Sequence, residues 1–168
     1  MDCVYFHKNP FKRKKYNFCE RKGEKKTMLK QNIIFIENKA GSLQKATDIL
    51  KKEQIQIFGF ACFDAPEYAL FRMVCSDAEK AEKVLSENGY MNRISRVIAV
   101  DLKERENGLD DVLQVLSESN ISLNYIYPSC QRETMSPVMI LHSEELTVTE
   151  SVLKNRGFSL FESVEEWN

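Results

Sequence analysis

The chain has only two histidines, His7 and His142, and its five cysteines (Cys3, Cys19, Cys62, Cys75 and Cys130) include no C-x-x-C pair. A zinc site has almost no ligands to draw on. The odd, scattered cysteines also argue against a disulfide framework, so a reducing cytoplasm is the expected location. No apolar run approaches the roughly 18 residues of a membrane span. The start lacks the apolar core of a secretion signal. No G-x-S-x-G, Walker loop or G-x-G-x-x-G is present, which removes the common hydrolase, NTPase and dinucleotide signatures. His142 closes an apolar run with no evident partner. Cys62 and Cys75 fall in strand-like stretches and read as core residues. Asn120-Ile121-Ser122 has the form of a glycosylation acceptor, without meaning in a cytoplasmic chain. These residues supply no base–nucleophile or metal constellation, so neither catalysis nor a cofactor is expected.

What is present is an ordinary globular composition, 43% hydrophobic and 29% charged, over 168 residues. The charge is uneven along it. Residues 1–27 carry nine Lys or Arg against three acids, a net +6, while residues 28–168 carry 15 against 22, a net −7. Lys12-Arg13-Lys14-Lys15 lies among Phe11, Tyr16 and Phe18. Such a mixture can bind nucleic acid or a membrane surface. Without helical or strand periodicity, 1–27 reads first as a disordered basic extension, or as a stretch translated upstream of a start at Met28. A nucleic-acid-associated or scaffold role through this tail is the alternative to the function derived below.

Periodicity begins near Leu29. Residues 31–37 read as a strand, 42–53 as an amphipathic helix bearing Leu43, Ala46, Ile49 and Leu50, and Ile55–Phe60 as a second strand. Asp64-Ala65-Pro66-Glu67 makes a turn, and Tyr68–Cys75 a third strand. Ser76-Asp77-Ala78-Glu79 has capping-box form, opening a helix that stops at Asn88-Gly89. A short strand follows at 92–95. The order then recurs. Val97–Leu102, Ile121–Tyr127, Pro137–Leu141 and Phe158–Phe161 read as strands, 109–116 and 145–155 as helices, and 128–136 as a loop.

The recurrence has a register. An offset of 66 carries Leu43 to Leu109, Leu50 to Leu116 and Ile57 to Leu123. An offset of 68 carries Val84-Leu85 to Val152-Leu153 and Gly89 to Gly157. The expected architecture is α+β: two tandem ferredoxin-like βαββαβ units, residues 28–96 and 97–168, each an antiparallel sheet with helices on one face. Ile33 and Phe35 point one way from the first strand, Ile34 and Ile36 the other. The face without helices must therefore meet something, and sheet-to-sheet contact between copies or chains is expected.

Two turns remain as candidate sites, Asn38-Lys39-Ala40-Gly41-Ser42-Leu43 and Glu106-Asn107-Gly108-Leu109. Each joins an apolar strand to a helix. Glycine allows a sharp turn there, and the free amides at a helix start favour a carboxylate. Asn38 or Asn107 can accept from an ammonium group. A small zwitterion meets both demands, although on spacing alone a purely structural glycine at a strand-to-helix corner is the simpler explanation of either turn.

The run from Ile33 through Leu43, followed by Ile55-Gln56-Ile57, resembles the opening of an ACT domain, with Ala40 where that family usually has proline. Leu109 through Tyr125 resembles a second opening. Together they are similar to small bacterial proteins made of two ACT domains. The resemblance implies a regulatory module that binds a free amino acid at an interface between domains, as a homodimer. Transferred position by position, it implies contacts from Asn38, Ala40, Gly41, Ser42 and Leu43, with Phe58 and Gly59 across the interface. In the second copy it implies Asn107, Gly108 and Leu109, with Asn124 and Tyr125.

Overall fold

The computed structural model describes residues 28–65, 67–103, 105–130 and 135–167. The basic extension, Pro66 of the first turn and positions 131–134 of the expected loop lie outside them. The elements run β1 (Leu29–Glu37), α1 (Ser42–Lys52), β2 (Ile57–Asp64), β3 (Tyr68–Cys75), α2 (Ala78–Glu87), β4 (Asn92–Asp101), α3 (Gly108–Glu118), β5 (Leu123–Cys130), β6 (Pro137–Ser143), α4 (Leu146–Asn155) and β7 (Ser159–Leu160), with a closing 3₁₀ turn at Val164–Trp167. The fold is the tandem βαββαβ arrangement expected from the sequence.

The repeat is visible in the backbone itself. The bounds of α1 and β2 become those of α3 and β5 at an offset of 66. Gln54 and Asn120, also 66 apart, both take positive φ, 58° and 54°. The same offset relates the Ile55 N–H bond to the Leu50 carbonyl and the Ile121 N–H bond to the Leu116 carbonyl, both 2.9 Å. Both β2 and β5 shift register in the same place, between Ile57 and Gly59 and between Leu123 and Tyr125. A repeated hydrophobic pattern has produced repeated irregularities, as expected when local sequence sets them.

Two expectations are corrected. Ser76 does not cap α2; Asp77 does, accepting the Lys80 N–H at 2.8 Å. Ser76 is still at the end of β3, where its hydroxyl accepts the Gln56 N–H at 3.1 Å. The strands expected at 92–95 and 97–102 are one strand, β4. Its first part pairs with β1, from Asn92↔Ile34 to Val97↔Leu29. Its second part pairs with β6, from Ile98↔Leu141 to Asp101↔Val138, and with β7. No turn residue interrupts Asn92–Asp101, so the chain runs straight from one unit into the other.

The sheet therefore has one path, β2-β3-β1-β4-β6-β5, with β7 also on β4. Alternation along the strands divides its two faces. Ile34, Ile36, Phe71, Met73 and Cys75 face α1 and α2 with Ala46, Leu50, Ala81 and Leu85. Ile98, Val100, Met139 and Leu141 face the other helix pair with Val112, Leu116 and Leu153. The opposite faces meet each other. Leu29, Val74, Val97, Ala99, Tyr127, Val138, Ile140 and Phe161 form a third core between the halves. The unpartnered face thus finds its contact inside the chain, and the ends of the path close on one another. Ser129 Oγ donates to the Phe58 carbonyl at 2.9 Å, and a side chain at Gly59 would meet Ser129 Oγ at 2.8 Å.

Candidate functional site

The two candidate turns differ in shape and in charge. Gly41 is the N-cap of α1 with φ +80°, and a Cβ built there meets nothing within 4 Å. No side chain caps this helix end, and no acidic residue stands in its first turn. The Ser42 N–H is taken by the Lys39 carbonyl at 3.1 Å, while the space beside Gly41 is open, and an acid-free helix start of this kind favours an anion. Asn38 steadies the approach by donating from Nδ2 to Asp64 Oδ1 at 3.2 Å and to the Ala65 carbonyl at 3.1 Å. Ala40 is exposed at the corner, while Ser42 and Leu43 are half-buried in the first helical turn.

In the second copy Gly108 is buried as the first residue of α3. A Cβ there would meet three atoms of the Leu102 side chain at 3.0 to 3.1 Å. By the 66-residue offset Gly108 stands where Ser42 does, and the N-cap position that Gly41 holds in α1 is held by Asn107 in α3. Asp110 and Asp111 occupy the first turn of α3, where their charges oppose a ligand carboxylate. Arg105 answers one of them, 3.4 Å from Asp111, while its guanidinium lies 3.8 Å over the Phe158 ring. Asn107 is the N-cap without a side-chain capping bond, and Leu109 is 53% exposed.

Beside the first turn lies a groove of about 390 Å³ lined by Ser42 and Lys45 of α1, Phe35 and Glu37 of β1, Tyr68 of β3, and Asn88 to Met91 before β4. Phe35 and Tyr68 meet edge to face with centroids 6.4 Å apart. Glu37 lies 2.9 Å from Lys39. The hydrogen bond from Lys39 and its charge hold the Glu37 carboxyl below its usual range, with a smaller contribution from Lys45. The groove therefore offers a cation, a carboxylate and aromatic walls. Of these residues, only Ser42 is among the candidate site residues that the sequence offers. Tyr68 reaches Glu37 by strand pairing, and Tyr90 follows another helix, so local spacing carries no sign of either.

The remaining expected residues sit elsewhere. Phe58, Gly59 and Tyr125 belong to the joint between the halves. Asn124 Oδ1 lies 3.0 Å from His142 Nδ1. At this joint Gln31, fully buried, donates to the Tyr125 hydroxyl at 2.8 Å and accepts from Tyr127 at 2.6 Å. His142 stacks on Tyr125 with centroids 5.0 Å apart. Burial, then the charges of Arg72 and Arg93, lower the His142 pKa, with Glu144 pulling the other way. Burial drives the Tyr127 hydroxyl pKa well upward, so it stays a neutral donor. Among the described residues no group of three His, Cys, Asp or Glu side chains is placed to hold a metal ion. No described helix is long and apolar enough to cross a membrane.

A family model described as an ACT domain pair matches residues 27–161. No curated protein matches the chain. Among solved structures the chain is similar to protein BT0572 from Bacteroides thetaiotaomicron, at 25% identity and a TM-score of 0.74, over 82% of this chain and 94% of that one. It is also similar to the ligand-free regulatory subunit of aspartate kinase from Thermus thermophilus, at 15% identity and a TM-score of 0.51, over 76% and 91% of the two chains. The regulatory subunit of aspartate kinase from Thermus flavus gives 14% identity and a TM-score of 0.50, over 76% and 92%. The two likenesses to aspartate kinase subunits are likenesses of fold.

Proposed function

This chain belongs to the family of paired ACT domains, and from that membership we propose a non-catalytic regulatory or sensor protein that binds a free amino acid. The groove beside Gly41 is the observation that carries the proposal. Lys45 and the uncapped start of α1 suit a carboxylate, Glu37 suits an ammonium, and Phe35, Tyr68 and Tyr90 suit an apolar side chain. Asn38, Ala40, Gly41, Ser42 and Leu43 form the ligand turn in this reading. The turn at Asn107, Gly108 and Leu109 is the weaker of the two in this reading, because Asp110 and Asp111 in the first turn of α3 oppose a carboxylate. Phe58, Gly59, Asn124 and Tyr125 act at the joint between halves, where a ligand-dependent shift would be felt. The proposal includes a cytoplasmic homodimer. Exposed Phe60, Met91, Leu109 and Val148 give a second copy apolar surface to cover, and light scattering of the full chain measures the mass.

The test is the melting temperature of the full chain against each of the twenty amino acids. Ligand at about 100 times its Kd adds roughly 2.7 kcal/mol, on the order of 5 to 10 °C for a chain of this size. One or two amino acids should produce such a shift, and Gly41→Asp should weaken binding of those by about tenfold or more. Gly41→Asn imposes the same positive φ without the charge, so it should weaken binding less. A flat panel rejects the amino-acid reading.

A further inference from the structure

Arg72 projects from β3 into the space between the sheet halves. Its neighbours along the strand, Phe71 and Met73, point to the helices, so Arg72 takes the other face with Val74. Its guanidinium carbon stands 3.9 Å from the centroid of the Tyr125 ring, across the joint, and 6.0 Å from that of Phe63. Nε and Nη1 are buried and have no hydrogen-bond partner. Among the described residues no carboxylate forms an ion pair with it. A ring face offsets part of the cost of burying a cation, but it does not satisfy N–H donors in the guanidinium plane. Such orphaned donors call for an acceptor.

The surroundings reinforce the need for a negative charge. Arg93 and Arg72 both pair with Ile33, from either side of β1. The three side chains therefore form one row on the same face of the sheet. His142 lies opposite, stacked on Tyr125, and feels the charges of both arginines. Glu144 is the acid whose charge also reaches it. Arg93 is exposed, so the cluster opens toward solvent at this end of the joint. Two guanidinium groups from the first half thus face an imidazole and a phenol ring from the second.

We propose that this end of the joint is an anion site, separate from the Gly41 groove, which takes a small oxyanion between the sheet halves. Arg72 is the principal ligand and Arg93 the outer one. Tyr125 and His142 form the wall against which the anion and the Arg72 guanidinium are held. A carboxylate or a phosphate group meets the requirement, since both present acceptor oxygens to guanidinium donors. Because the contacting residues come from both halves, occupancy would fix how the halves sit on one another.

The test is calorimetric titration of the full chain with inorganic phosphate and, separately, with acetate, at ionic strength held constant with sodium chloride. Saturable binding of one probe, weakened about tenfold or more in Arg72→Gln and also weakened in Arg93→Gln, supports the proposal; the probe that binds identifies the source as phosphate or carboxylate. Gly41→Asp should leave this binding unchanged, which separates the site from the amino-acid groove. Heat that does not saturate with either probe overturns it. Should Arg72→Gln fail to fold by circular dichroism, Arg93→Gln decides, and unchanged affinity in that variant overturns the proposal as well.

Discussion

Tyr127 ties the two halves together through one hydroxyl. It donates at 2.6 Å to Gln31, which has no exposed surface. Tyr127→Phe leaves a buried acceptor unpaired, a loss of about 1 to 3 kcal/mol, or roughly 2 to 4 °C of melting temperature for each. An unchanged melting temperature would show that Gln31 finds another donor. His142 carries a second residue-level consequence. Its folded pKa lies below the ordinary 6.5 because of burial and then the two arginines. Protonation therefore favours the unfolded chain. The contribution is complete above the unfolded value and is lost as the pH falls through the folded one. Melting temperatures measured from about pH 7.5 down to about pH 5 should fall less in His142→Asn than in the parent chain.

At the scale of elements, the start of α2 separates two residues that look alike in sequence. Asp77 holds the Lys80 amide, so Asp77→Ala should destabilise by about 0.5 to 2 kcal/mol in chemical denaturation. Ser76→Ala touches only the bond between strand ends and should lose less. A loss from Ser76→Ala equal to that from Asp77→Ala would return the cap to Ser76. The two strand-to-helix turns make a parallel contrast. Both have a glycine after a strand, but not at the same place: Gly41 is the N-cap of an α1 whose first turn has no acid, while Gly108 is the first residue of α3, with Asn107 as the cap and Asp110 and Asp111 beside it. The residue at the cap and the charges in the first turn, not the glycine alone, distinguish the two helix starts.

At the scale of the whole molecule, β4 and the core between the sheets bind the repeat into one body. Neither half keeps its inner face covered without the other, because Val74 and Leu29 of one half pack with Tyr127, Val138 and Ile140 of the other. Unfolding should then be a single transition in scanning calorimetry, with equal calorimetric and van't Hoff enthalpies. Two resolved transitions would mean that each half carries its own stability.

The repeated apolar pattern, offset by 66 and then 68, was enough to read the element order, the helices, the repeat and the turn at Gly41. Those features are set by neighbours within one element, where periods of 2.0 and 3.6 leave their trace. The fusion of two expected strands into β4 left no trace, since an uninterrupted strand and two adjoining ones have the same alternation. Gln31 and its tyrosines lie 94 and 96 residues apart. Arg72 reads as an isolated charge in an apolar strand, and Glu37, Lys45 and Tyr68 as scattered surface residues. What brings them together is the folding of one sheet face onto the other and the pairing of β1 with β3. Local periodicity records which face a residue takes. Only the tertiary structure decides what stands opposite it.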